Sequence, residues 1–491
     1  MKLVVEPIYT YACGDYLEMQ HLESLLVAPD ADDTPHSLLE NNRFYTGLLN
    51  RVKELLGSQS IEFEIEWTYD NQQLDPSEIL IPEGVLPGIE LRPHQIAALV
   101  KLLAWGCRGV VQIATGGGKT EIACALSKIL NVPTLFVNDR VKHASQALRR
   151  FNKYGIDCGM VGGGIRDSDH LVVSAVADSL YTGLGNGDEE ILDILNRTQL
   201  LIMDECHHLT SNSWNTIADN CPAPFRVGLS ASAFERPDDK RLYEDMILIG
   251  QTGDVVCNVP PRWLIDRGWM AEPLVHFIPI NTVPPETFVW NEVYSEGVVD
   301  NRYRNYVTAG LARELSAHGH KVLVLVQRLN HGRSLLKLWQ DPQIIFSFGG
   351  EATYRFEDNE IKEGRMDQDA IESHFDEMKS GILMGSTVFD ESLDLDSVTA
   401  LILAGGGKKY RRILQRVGRA AHSKQDYVHV FDYWDRQHKW LTKHSRERLI
   451  IYNNLQYKAY DGLAEFAYRT GIELSPAEIV HKILSSSALT T

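Results

Sequence analysis

The chain has 491 residues, 44% of them hydrophobic and 23% charged, with a formal net charge of −18. That length exceeds one ordinary core and predicts two to four domains, and no run of about 18 apolar residues marks a membrane span. Seven cysteines without a Cys-x-x-Cys pair argue against a zinc site and for reduced thiols. Met1 to Glu6 lacks the apolar core of a secretory signal, so a cytoplasmic location, in a bacterium or a phage-infected host, is expected with no membrane partner.

The acidity is uneven. Residues 1–88 carry 4 Lys/Arg and 16 Asp/Glu, whereas the remaining 403 carry 44 and 50. The bulk of the chain can therefore still present a local basic groove, because binding follows local field and not total charge. Within residues 1–88, Leu48 to Leu56 reads as a helix. Ile61 to Trp67 alternates strictly, as a strand with one apolar face and one face of Glu62, Glu64 and Glu66. These residues are expected to form a small acidic α+β accessory domain, ended by a linker at Pro82, Gly84, Pro87 and Gly88.

From Leu91 the pattern becomes strand, loop, helix. Val110 to Ile113, Thr134 to Val137, Leu171 to Ser174 and Leu200 to Met203 are apolar strands, and Glu121 to Leu130 is a helix. Alternation of this kind predicts a doubly wound parallel sheet over 89–258. The pattern restarts over 259–436, with strands at Lys321 to Val326, Gly381 to Met384 and Thr399 to Leu403 and a helix from Gly332 to Trp339. Residues 437–491 read as a mainly helical extension.

The glycine run between the strand at Val110 and the helix at Glu121 carries the chemistry. Ala114-Thr115-Gly116-Gly117-Gly118-Lys119-Thr120 places backbone N–H groups and a helix N-terminus around a polyphosphate. Lys119 would reach the β- and γ-phosphates and Thr120 would hold Mg²⁺. About 85 residues on, Asp204-Glu205-Cys206-His207 follows an apolar strand. Adjacent carboxylates there suit a metal-positioning Asp204 and a Glu205 that activates water. The spacing of Cys206, His207 and His208 matches no closed zinc pattern, so Cys206 is expected to be structural and His207 to couple sites. Arg416 and Arg419 lie three apart on one helix face, where an arginine could stabilise charge developing on the γ-phosphate.

These strings resemble the superfamily 2 helicases and translocases over roughly residues 89–455. Leu91 to Gln95 resembles the motif whose glutamine reads adenine. Thr115 to Thr120 resembles motif I, Asp204 to His207 motif II in its DExH form, and Ser230-Ala231-Ser232 motif III. Ser386, Glu391 and Asp394 fall where motif V stands, and Gln415 to His422 matches motif VI, with His422 in place of its second arginine. The leader Leu-Arg-Pro-His-Gln, the run Gly268 to Pro273 and Asp432-Tyr433-Trp434-Asp435 are most similar to phage UvsW-type and XPB-like members. The resemblance implies two RecA-like domains clasping ATP and Mg²⁺. Gln95 would select adenine, and Thr115, Gly116, Gly117, Gly118, Lys119 and Thr120 would hold phosphates. Asp204 and Glu205 would serve metal and water, and His207, Ser230 and Ser232 would transmit the nucleotide state. Asp394, Gln415 and Arg419 would complete the site.

The implied activity is ATP-driven remodelling of branched DNA, by fork or junction unwinding and branch migration, extending to R-loops, in replication, recombination or repair. DNA contact is expected at two cationic segments with nearby aromatics. One holds Lys408, Lys409, Arg411 and Arg412; the other holds Arg436, Lys439, Trp440, Lys443, Arg446 and Arg448. The acidic face of the N-terminal domain would repel phosphate, and the domain is expected to bind a partner protein, regulate the motor or keep the chain soluble. An RNA helicase shares every ATP-site residue, and a motor or switch subunit of a larger nuclease or defence complex is the rival from another class.

Overall fold

The computed structural model describes residues 1–70, 75–234, 236–349, 351–386, 397–407, 417–418 and 425–487. It divides into two compact units, Met1–Val259 and Pro260–Thr491, each built on a RecA-like parallel sheet.

The first unit opens with a small sheet in the order Arg43–Tyr45, Tyr9–Cys13, Lys2–Val5, Glu64–Trp67. The alternating segment forms its edge strand over Glu64–Trp67, parallel to Lys2–Val5. Glu64 and Glu66 face solvent while Ile65 and Trp67 pack on the core, as period-2 patterning requires. A reciprocal capping box between Asp15 and Glu18 starts the helix Tyr16–Leu25, and a second helix spans Leu49–Ser58.

The main sheet of this unit runs, among the described residues, in the order Ile165–Asp167, Cys158–Gly162, Val172–Val176, Thr134–Asn138, Leu200–Asp204, Phe225–Ser230, Arg108–Ile113, Val255–Val259. All pairs are parallel except the hairpin at Ile165–Asp167. Thr134–Asn138, Cys158–Gly162 and Val172–Val176 are buried along their whole length, as expected for strands covered by helices on both faces. Strand register sets the site: Asp204 pairs with Leu229 and Ser230 with Gln112. Three neighbouring strands thus end together at their carboxyl edge, where open α/β sheets bind ligands.

The N-terminal sheet is packed directly on this scaffold. Tyr9 and Tyr45 donate to the two oxygens of Asp219 at 3.4 and 3.2 Å, and Arg51 Nε donates to Asp254 at 2.8 Å. Gly47 lies so close to the helix Tyr243–Thr252 that a Cβ would run into the Ile249 carbonyl.

The second unit repeats the theme. Its sheet runs Glu360–Arg365, Ala352–Glu357, Ile345–Gly349, Gly381–Ser386, Lys321–Val326, Ala400–Ile402, Tyr427–Asp435, Glu272–Ile280, Lys458–Asp461 among the described residues. The first two strands form an antiparallel hairpin turning at Asp358 and Asn359, both with positive φ, the backbone a type I′ turn needs. The C-terminal segment is mainly helical, with Lys439–Asn454, Ala464–Thr470 and Pro476–Ser487. It differs from the expectation in one respect: Lys458–Asp461 returns to the sheet as an edge strand beside Glu272–Ile280. Among the described residues, four charged residues of three elements pair in the interior of this unit. Arg448 Nε bonds Asp432 at 2.8 Å, and Arg304 Nε bonds Asp435 at 3.2 Å. Among the described residues, no helix is long and apolar enough to cross a membrane.

Candidate active site

The strand Arg108–Ile113 runs through Ala114–Gly118 into the helix Lys119–Leu130. Gly116 and Gly118 take φ of 84° and 80°, the left-handed region that glycine enters without strain. The helix begins with no side-chain cap, leaving its first N–H groups for an anion. Three successive carbonyls of the loop are held from one neighbouring segment. Arg92 Nη1 donates to Gly116 O at 3.2 Å, His94 Nε2 to Gly117 O at 2.7 Å, and Gln95 Nε2 to Gly118 O at 3.2 Å. A carbonyl only accepts, so His94 carries its proton on Nε2. Holding the carbonyls on one side turns them away from the phosphate side of the loop.

Gln95 takes part in this arrangement through both ends of its carboxamide. Its Oε1 accepts from the Arg92 N–H at 2.7 Å and it is buried, so both ends of its carboxamide face backbone. Arg92 and His94 were not among the residues expected to act; only their proximity in sequence to Gln95 pointed at them.

Asp204 ends its strand, and its Oδ1 accepts from the Glu205 N–H at 3.1 Å. Glu205 takes a left-handed φ of 52°, a conformation that costs a non-glycine residue about 1 kcal/mol or more. That turn brings its carboxylate back over the sheet. Ser230 Oγ donates to Glu205 Oε2 at 3.1 Å and accepts from the Ser232 N–H at 3.1 Å. His207 Nδ1 lies 3.3 Å from both Ser230 Oγ and Glu205 Oε2. Lys119 Nζ stands 3.9 Å from Glu205 Oε1 and donates to Ile113 O at 3.4 Å. The structure therefore brings Lys119, Asp204, Glu205, His207 and Ser230 together, with Ser232 one step behind. Thr115 and Thr120 flank the loop at either end, both partly exposed.

The Asp204 carboxyl is pushed up to about 6, by desolvation first and by the Glu205 charge second, with Lys119 opposing. A carboxyl pair with so little compensating charge favours a cation. Among the described residues, no group of three His, Cys, Asp or Glu could hold a metal ion by itself. The carboxylate pair suits Mg²⁺, which protein sites commonly hold through one or two carboxylates plus substrate phosphates. Next to this pair, Asp139 accepts from His143 Nδ1 at 2.5 Å. Burial would raise the Asp139 carboxyl, but the histidine outweighs it and holds it low. Cys206 is buried with its sulfur against Gly228, a packing role.

Several expected residues fall elsewhere. Asp394, Gln415, Arg419, Lys408, Lys409 and Arg411 lie outside the described residues. Arg436, Lys439 and Lys443 are exposed and Trp440 half-buried. Arg448 is a correction. It is buried, with Nε on Asp432 and Nη1 and Nη2 donating to Gly407 O and Tyr433 O at 2.9 and 2.7 Å. Its guanidinium has no phosphate to meet, because the cationic spacing that included it wraps around a helix whose inner face it occupies.

Residues 88–235 match the family model of the type III restriction enzyme res subunit. The chain is 28% identical to the DNA 3'-5' translocase XPB2 of Sulfurisphaera tokodaii over 68% of its own length and 79% of that protein. It is 24% identical to the putative ATP-dependent helicase IRC3 of Saccharomyces cerevisiae, over 70% of this chain and 51% of that one. A fragment structure of a putative HsdR subunit of a type I restriction enzyme from Vibrio vulnificus superposes with a TM-score of 0.54 at 18% identity, covering 88% of this chain and 76% of that chain; the likeness shows the fold. Sequence relatives, fold and motif order agree: the chain is similar to the superfamily 2 helicases, XPB-like members among them, and is an ATP-hydrolysing enzyme.

Proposed function

We propose that this chain is an ATP-dependent DNA translocase that unwinds and remodels branched DNA. The observation that carries the reading is the contact chain Lys119–Glu205–Ser230–His207 at the carboxyl edge of one sheet. Lys119 stands within ion-pair distance of Glu205, which shares a hydrogen-bonded hub with Ser230 that continues into the Ser232 backbone. XPB2, named a DNA translocase, supports DNA as the track.

Lys119 binds the β- and γ-phosphates, exchanging Glu205 for them, and the Gly116–Gly118 N–H groups take the remaining oxygens. Thr120 and Asp204 would hold Mg²⁺, which supplies positive charge to the phosphates. Glu205, released by Lys119 and oriented by Ser230 and His207, draws a proton from the attacking water. Gln95, assigned by resemblance to select adenine, also positions the loop together with Arg92 and His94. Loss of the γ-phosphate frees Lys119 to return to Glu205, and the Ser230 hub reports that change to Ser232. Arg419 is assigned as the arginine finger and Asp394 and Gln415 as its companions, by resemblance.

The test is steady-state ATPase with single-stranded DNA, a fork, a four-way junction and matched RNA, with Lys119→Ala as blank. Highest turnover on forks or junctions supports the reading. Stimulation by RNA alone makes the chain an RNA helicase. A second reading, a motor subunit of a larger assembly, is favoured by the match to a restriction-enzyme subunit; hydrolysis that no nucleic acid stimulates would support it and sink the first.

A further inference from the structure

A cluster of solvent-exposed aromatic residues in the second unit lies where two of its parallel strands end. Glu272–Ile280 and Tyr427–Asp435 pair in register to Ile280 opposite Asp435. The chain leaves the first strand into residues 281–289 and the second into the helix Lys439–Asn454. In the first exit Phe288 is 69% exposed, Val289 56% and Trp290 37%. From the second exit come Lys439 and Trp440. The Trp440 ring centroid lies 6.5 Å from Phe288 and 6.3 Å from Trp290. Lys439 Nζ stands 4.9 Å from the Phe288 centroid and 5.9 Å from that of Trp440. Exposing an aromatic ring forfeits the apolar burial that would normally stabilise it, and clustered exposure marks an interaction surface.

Charge selects the occupant. Lys443 is opposed by Glu447 at 4.0 Å, and Glu292, bonded by Thr287 at 2.5 Å, shares the helix that begins at Trp290. Such a balanced surface is a poor track for duplex phosphates alone. Rings presented from two elements with a cation over their faces instead match base stacking, which tolerates any sequence because every base has a π-face. The carboxyl edge of a parallel sheet is also where ligands reach such folds.

We propose that Phe288 and Trp290, with Trp440 and Lys439, form a stacking platform for unstacked bases of a single DNA strand. The inference rests on the DNA reading above and adds the place and the chemistry of strand contact. Phe288 stacks a base outright, while Trp440, anchored beside the buried Leu441, holds Lys439 and Trp290 in register.

The test compares the full chain's affinity for an oligothymidylate and for an abasic phosphodiester strand of the same length and charge, at fixed salt. The wild type is expected to prefer the base-bearing strand. Phe288→Ala, at an exposed position, should weaken that strand's binding about five- to 150-fold and leave the abasic strand unchanged, while Phe288→Trp retains the preference. Equal affinity of Phe288→Ala and wild type for both strands overturns the platform and leaves the DNA reading standing, as does a wild type indifferent to bases. A wild type that binds no DNA overturns both.

Discussion

Ser230→Ala separates positioning of the water-activating carboxylate from nucleotide binding. Ser230 Oγ is buried between Glu205 Oε2 and the Ser232 N–H, 3.1 Å from each. It touches no residue of the phosphate loop among the described contacts. A hydrogen bond to a charged group is worth about 1.5–3 kcal/mol. If that interaction orients Glu205 in the transition state, its loss lowers kcat about ten- to 150-fold. KM for ATP should hold within about twofold, because Lys119 and the loop N–H groups are untouched. The substitution also strands the Ser232 N–H, so a melting-temperature drop of a few degrees is expected and must be measured beside the kinetics. The assay is steady-state hydrolysis with saturating single-stranded DNA. An unchanged kcat, or a loss confined to KM, would refute the hub.

Other consequences are equally open to measurement. With Asp204 pushed up to about 6, kcat/KM for ATP should fall on an acid limb near pH 6 at limiting Mg²⁺, and move to lower pH as Mg²⁺ saturates; a profile flat between pH 5 and 7 contradicts the assignment. Burial holds His276 down at about 4 and His331 at about 3, so the folded chain keeps both neutral while the unfolded chain protonates them below about 6.5. Stability is then full above pH 6.5 and falls toward pH 4, by about 1.4 kcal/mol per pH unit for each such histidine; thermal melts that coincide at pH 7 and pH 5 would refute it. Removing Arg448 leaves Asp432 buried without its partner, so Arg448→Met should cost about 3–5 kcal/mol in chemical denaturation, whereas the exposed Arg436→Gln should leave stability within about 0.5 kcal/mol; equal costs would mean the burial is misjudged.

The phosphate-loop half of the candidate site was legible because its residues are local in sequence. Gly116 to Thr120 must be contiguous to wrap a phosphate, and Asp204-Glu205 must follow an apolar strand to reach the same edge. The hub was legible only through resemblance: nothing in Ser230-Ala231-Ser232 says that its first hydroxyl meets Glu205, since that follows from a strand register across three strands. Arg448 misled because Arg446 and Arg448 stand two apart on one helix, so one faces water and the other the sheet. Exposure also hid the platform. Phe288 and Trp290 sit in a short run whose apolar letters resemble any core segment, and only the fold shows that no core covers them.

The acidic N-terminal sheet is a fixed part of the first unit. Arg51 reaches Asp254, and also Asp238 at 2.6 Å. Tyr45 and Tyr9 end on Asp219, which also accepts from Gln251 Nε2 at 2.6 Å. Gln251 Oε1 in turn accepts from the buried Arg226 at 2.6 Å, and Arg226 lies on the strand that ends at Ser230. A continuous run of hydrogen bonds thus joins the N-terminal sheet to the strand that ends at Ser230. A partner gripping the exposed Glu64 and Glu66 face would hold the same compact unit that carries Lys119, Asp204 and Glu205. Gly47→Ala should break this seam at its tightest point, where the added Cβ meets backbone that cannot yield. The expected result is earlier proteolysis of residues 1–88 with the ATPase of the remainder retained; a variant as protease-resistant as wild type would show that the sheet is held by something other than this contact.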